Sequence, residues 1–114
     1  MISFACKEIE FKDLLRCSFE LTKTEYKIMM FLLVKDKYFS ATALGESMNL
    51  DRTTIQKAVK GLTEKDLIIR HQDNLEKGGY MFFYKIKNKA EIKNRMTNLV
   101  DKWHEGVKKE IRNW

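Results

Sequence analysis

The chain has no proline, only two cysteines, two histidines and five glycines among its 114 residues, and no long unbroken apolar run. Each scarcity removes a class of protein. Without Gly/Ser-rich linkers, low-complexity tracts or internal repeats nothing divides the chain, so one compact unit with a terminal extension is expected. Cys6 and Cys17 are too few for a disulfide framework or a metal cluster. They read as reduced thiols, or as a redox switch if a thiol pKa is lowered. His71 and His104 stand in no H-E-x-x-H or other metal spacing, and G-x-S-x-G, P-loop and G-x-G-x-x-G patterns are all missing. Gly78–Gly79 is too short to cradle a phosphate chain. Neither an enzyme nor a cofactor is expected. A membrane helix needs ~18 apolar residues, and no signal peptide is visible because Glu8 and Glu10 follow a short apolar start. The expected location is the cytoplasm, with no membrane partner.

What remains is a folded, basic chain. A hydrophobic fraction of 44% and an aromatic fraction of 11% belong to a globular protein, and the length allows one domain. The net charge is +6, which favours a polyanionic partner. Residues 1–50 hold seven Lys and Arg against seven Asp and Glu, so the whole excess lies beyond residue 50.

The periodicity predicts a helix over about 8–18 using Ile9, Leu14 and Leu15, with Ile2 and Phe4 apolar enough to be buried somewhere. Thr22 and Glu25 form a T-x-x-E capping box, with Leu21 and Tyr26 as its hydrophobic staple. Ile28, Met29, Phe31, Leu32 and Leu33 then make a helix apolar around most of its circumference, and such helices are central to a core. Tyr38 and Phe39 suit a short strand. Ser40 caps a helix over about 41–48, where Ala43 and Gly45 permit a close helix crossing. Leu67–Gln72 and Tyr80–Ile86 read as two strands joined by a polar loop over Asp73–Gly79. Asn88 and Glu91 repeat the capping box before a last helix reaching about residue 113. Ile92, Met96, Leu99, Trp103, Val107, Ile111 and Trp114 form a narrow seam along it, and uncovered seams of this kind favour self-association.

Ala41–Asp66 concentrates the chemistry. It reads as two short helices around a turn at Asn49–Asp51, the second capped by Asp51 and buried through Ile55, Ala58, Val59 and Leu62. Arg52, Thr53, Gln56, Lys57 and Lys60 fall outside that stripe. Arg52 can reach guanine or a phosphate, and Gln56 can pair with adenine. Thr53 and Thr54 can bond to phosphates or touch a thymine methyl, and the helix N-terminus favours an anionic neighbour. Lys57 and Lys60 suit backbone contact. In the hairpin, Arg70, His71 and Lys77 surround Gly78–Gly79, where approach to a minor groove is sterically open. The bland alternative for all of them is a solvated charged face.

The order helix, helix, short strand, helix, helix, hairpin, long helix is that of a winged helix. Leu44–Ile69, with the run LDRTTIQKAVKGLTEKDLI, resembles the reading head of MarR-type and TrmB-type regulators, especially small archaeal members. The resemblance extends less specifically over residues 11–87, the last helix is similar to their dimerisation helices, and Asp66 stands where the family commonly has glycine. The fold class is therefore mainly α with a small β-hairpin (α+β): a winged helix-turn-helix over residues 1–87 and a dimerisation helix over 88–114. What this implies is a homodimeric regulator that binds double-stranded DNA sequence-specifically, its recognition helix (about 52–65) in the major groove and its wing (about 67–86) on the minor groove or backbone. A winged-helix protein-interaction module in a transcription or replication assembly is the alternative. A small-molecule or redox effector acting through Cys6, Cys17 or a pocket beside the last helix is left open.

Overall fold

Helix caps legible in the sequence set the frame of the computed structural model, which describes all 114 residues. The elements are β1 (Ile2–Phe4), β2 (Lys7–Ile9), α1 (Phe11–Ser18), α2 (Lys23–Lys35), β3 (Phe39–Ser40), α3 (Ala41–Met48), α4 (Arg52–Glu64), β4 (Ile68–Asn74), β5 (Tyr80–Ile86) and α5 (Lys89–Arg112). Thr22 and Glu25 close the expected capping box at 3.1 and 2.8 Å. Ser40 accepts from the Ala43 amide at 3.1 Å, and Asp51 accepts from that of Thr54 at 2.7 Å. Asn88 accepts from Ala90 and Glu91, but only half of that box forms: the Glu91 carboxylate turns to Lys87 at 3.5 Å.

The core lies where α2, α3 and α4 meet the sheet. Ile28 and Leu32 of α2, Leu44 of α3, Ile55 and Leu62 of α4 and Leu67 are wholly shielded from solvent. Each such side chain contributes ~1.5–3 kcal/mol of burial, so α2 is the central helix as its apolar girth indicates. Asn49 turns the chain between α3 and α4 in the left-handed region, φ 55, and a Cβ on Gly45 would come within 2.9 Å of the Leu50 carbonyl. The close α3–α4 crossing thus depends on that glycine. β5 is the middle strand of a sheet ordered β3-β5-β4, antiparallel throughout.

The N-terminus differs from expectation. The helix begins at Phe11, and residues before it form a β1–β2 hairpin with Ile2 opposite Ile9, turned through Ala5 at φ 49. Apolar residues there recur at a period of two, which is strand spacing and not helix spacing. Ile2 and Phe4 are 39% and 62% exposed, so the chain itself does not bury them. The wing strands also run further than their composition suggested. Pairing continues to Asn74 opposite Tyr80, shortening the loop to residues 75–79.

α5 accounts for the elongated shape. Its 24 residues span ~36 Å at 1.5 Å each. The radius of gyration is 17.6 Å, against ~13 Å for a compact chain of this length. Ile92 and Met96 are buried in the core of the winged helix, while Leu99, Trp103, Val107 and Ile111 are exposed. The core therefore continues across residue 88.

Candidate nucleic-acid interface

α4 presents two chemically distinct sides. Ile55, Ala58, Val59 and Leu62 are buried. On the other side Arg52, Thr53, Gln56, Lys57 and Lys60 are exposed and line one shallow groove. None of these three cations makes an ion pair within the chain. Thr54 is half-buried at the margin, its amide bound to Asp51. The hydroxyl and amide of Thr54 hold the Asp51 carboxyl below its ordinary pKa. The start of α4 thus carries its own carboxylate, which competes with the anionic neighbour expected at a helix N-terminus.

The wing divides the residues that the sequence grouped. Successive strand residues point to opposite faces, so Arg70 and His71 cannot serve the same surface. Arg70 lies on the α4 side, its guanidinium 4.2 Å from the centroid of the Phe82 ring, and Phe82 meets Tyr80 edge-to-face at 5.2 Å. With Gln56, Lys60 and Tyr84, Arg70 and Phe82 line a groove between helix and wing. His71 is on the other face, its Nε2 2.9 Å from Asp73 and its ring tilted against Tyr38 at 5.8 Å. The structure does not bring it to the groove. Lys77 sits at the loop tip beside Gly78 and Gly79, whose φ values of 89 and 83 require glycine. A Cβ on either would meet nothing within 4 Å, so the tip is open.

Phe82, Tyr84 and Tyr80 line the grooves beside α4, and motif reading passed over them. Their i, i+2, i+4 spacing was the available signal, because it places all three on one face with Arg70 across the strand pair. Gln56 lies at the junction of this region, lining the helix groove, the helix–wing groove and an adjoining cleft bounded by Ser40 and Tyr80. Burial pushes the Tyr84 hydroxyl pKa up, and the charge of Arg70 opposes this.

Three other basic residues of the second half are used structurally. Lys65 bridges the Glu25 carboxylate and the Glu20 carbonyl, both at 2.7 Å. Arg95 donates to the carbonyls of Asp66 and Lys65 at 2.7 and 3.0 Å, and Lys87 reaches the Asp66 carboxylate at 2.6 Å. Asp66 itself is left-handed, φ 59, taking the conformation that glycine takes without strain. The departure from the family pattern is absorbed by these contacts. Cys6 and Cys17 are free and exposed, and no helix is long and apolar enough to cross a membrane.

Comparison with known proteins is consistent with this geometry. A possible transcriptional regulator from Methanosarcina mazei superposes with a TM-score of 0.91 at 38% identity, covering 100% of this chain and 96% of its own. The MepR–DNA complex of S. aureus matches with a TM-score of 0.58 at 13% identity over 88% of this chain and 81% of its own, a likeness of fold alone. An uncharacterized protein of Methanocaldococcus jannaschii is 32% identical over 103 residues, 90% of this chain and 84% of that protein. The fold is the expected winged helix-turn-helix with a long C-terminal helix, and the solved structures it resembles are winged-helix regulators. The family model that matches, over residues 11–107 and so across the expected boundary at residue 88, is the DnaD N-terminal domain, and the chain belongs to that family.

Proposed function

We propose that this protein is a transcriptional regulator that binds double-stranded DNA sequence-specifically as a homodimer, with α4 in the major groove and the β4–β5 wing on the minor groove or backbone. The observation that carries the reading is the unpaired face of α4, where Arg52, Gln56, Lys57 and Lys60 stand exposed opposite a fully buried stripe. A helix of this kind presents bidentate base readers beside phosphate-binding cations. Relatives support it: one is described as a possible transcriptional regulator, and a more distant winged helix was crystallised with DNA. Pairing through Leu99, Trp103, Val107 and Ile111 would cover the exposed seam of α5. It would set two reading helices ~34 Å apart on a pseudo-palindrome. Such a regulator works in the cytoplasm, in the compartment of the genome.

The test is anisotropy titration of labelled genomic duplexes with the whole chain at several salt concentrations. Affinity that drops steeply with salt supports the proposal; micromolar, salt-insensitive binding overturns it. The seam alone also suits a winged-helix module that docks another protein, and light scattering separates the two, since that module would be monomeric in isolation.

A further inference from the structure

Two of the five arginines, Arg16 and Arg95, spend their donors on backbone carbonyls within the chain. Arg70 does not. Its side chain makes no hydrogen bond and no ion pair, although Glu64 lines the same groove; instead its guanidinium lies over the Phe82 ring at 4.2 Å. Phe82 is in turn braced edge-to-face by Tyr80 at 5.2 Å and packed against the core. A guanidinium stacked on an aromatic face keeps its in-plane N–H groups free at the ring's edge while its long side chain is restrained. The groove it faces also holds Gln56 and Lys60 of α4.

We propose that Phe82 is a positioning residue for DNA binding. Its ring holds Arg70 against α4, so that Arg70 and Lys60 together grip the phosphates bordering the major groove, while only the tip at Lys77 is left for the minor groove. Resting on the DNA-binding reading above, the inference divides the wing into a base that works with the recognition helix and a tip that works alone. It also assigns the aromatic strand a role other than core filling. A bare solvent-exposed arginine would lose more side-chain freedom on meeting a phosphate, and stacking reduces that loss in advance.

The experiment is anisotropy titration of a mixed-sequence 30-base-pair duplex across a salt series, with wild type, Arg70→Ala, Phe82→Leu, Phe82→Tyr and the Arg70→Ala/Phe82→Leu double variant. Arg70→Ala is expected to weaken binding about fivefold and to lower the salt slope by about one. Phe82→Leu is expected to weaken it about threefold, the scale of an exposed cation–π contact. Phe82→Tyr restores wild-type affinity, and in the double variant the leucine adds nothing. Should Phe82→Leu fold poorly in thermal melts, Phe82→Met takes its place. Wild-type affinity in Phe82→Leu beside a weakened Arg70→Ala overturns the inference, as does an additive double variant, which would mean that the ring touches DNA itself. A wild-type chain without salt-dependent binding overturns the DNA-binding reading and this inference with it.

Discussion

Gly61 of α4 leaves the space that the Glu25 carboxylate of α2 fills. A Cβ at residue 61 would lie 3.1 Å from Glu25 Cδ and collide with Oε2. Glu25 is the one buried carboxylate of the chain, and Thr22 and Lys65 satisfy it at 2.8 and 2.7 Å. The contact joins the start of α2 to the end of α4 and so fixes α4 on the central helix. A glycine costs ~1 kcal/mol inside a helix relative to alanine, and the close approach is its compensation.

Gly61→Ala is therefore expected to destabilise the fold by ~1–3 kcal/mol despite its better helix propensity. Urea unfolding checks it, and in a Glu25→Ala background the same substitution is expected to be neutral or stabilising.

Acid stability follows from the same carboxylate. Burial pushes the Glu25 pKa upward most strongly of any single effect, yet the Lys65 and Thr22 hydrogen bonds and the Lys65 charge together leave it below its ordinary value. A depressed carboxyl stabilises the fold fully above its unfolded pKa of about 4.3, and the contribution is lost as pH falls through the folded value. Glu25→Gln is thus expected to be less stable than wild type at pH 7, by ~1–3 kcal/mol for a partly shielded pair, with the gap closing below about pH 4.3. A gap unchanged down to pH 2.5 in denaturant titrations would contradict this.

The seam of α5 separates into two kinds of residue. Ile92 is 5% exposed and Trp103 62%. Ile92→Ala is expected to cost ~2–4 kcal/mol of fold stability, whereas Trp103→Glu leaves the melting temperature of the winged helix almost unchanged and converts a dimer to a monomer. Chromatography with light scattering, beside thermal melts, reads both outcomes.

Recognition should sort by face. Gln56→Ala is expected to relax preference at particular base pairs, Lys57→Ala to weaken all duplexes about equally, and His71→Ala, on the far side of the wing, to leave affinity within about twofold. Bound-fragment selection from random DNA compares the first with wild type, and anisotropy measures the other two.

The helix frame and the exposed polar face of α4 were legible because their signals are local. Thr22, Ser40 and Asp51 cap helices through side chains three residues from their targets, and Ile55, Ala58, Val59 and Leu62 repeat at helical period. The Glu25–Gly61–Lys65 contact is a meeting of elements some forty residues apart, and neither a capping glutamate nor a mid-helix glycine announces such a partner. The Arg70–Phe82 stack needed the strand register, with Arg70 opposite Tyr84 and Phe82 diagonal to it. The β1–β2 hairpin was not legible because its period-two spacing lasts only three residues in each strand, too short to stand against the helical spacing of Ile9, Leu14 and Leu15.

The most direct measurement is the salt dependence of DNA affinity for the intact protein, with its oligomeric state recorded at each salt concentration. Each protomer presents Arg52, Lys57, Lys60, Arg70 and Lys77, none of them in an ion pair. If about six to ten of the paired set reach phosphates, the log–log slope of binding constant against salt is about −5 to −9. A dimer binding with that slope is the predicted result; a slope near zero, or a monomer that binds as tightly as the dimer, contradicts the account.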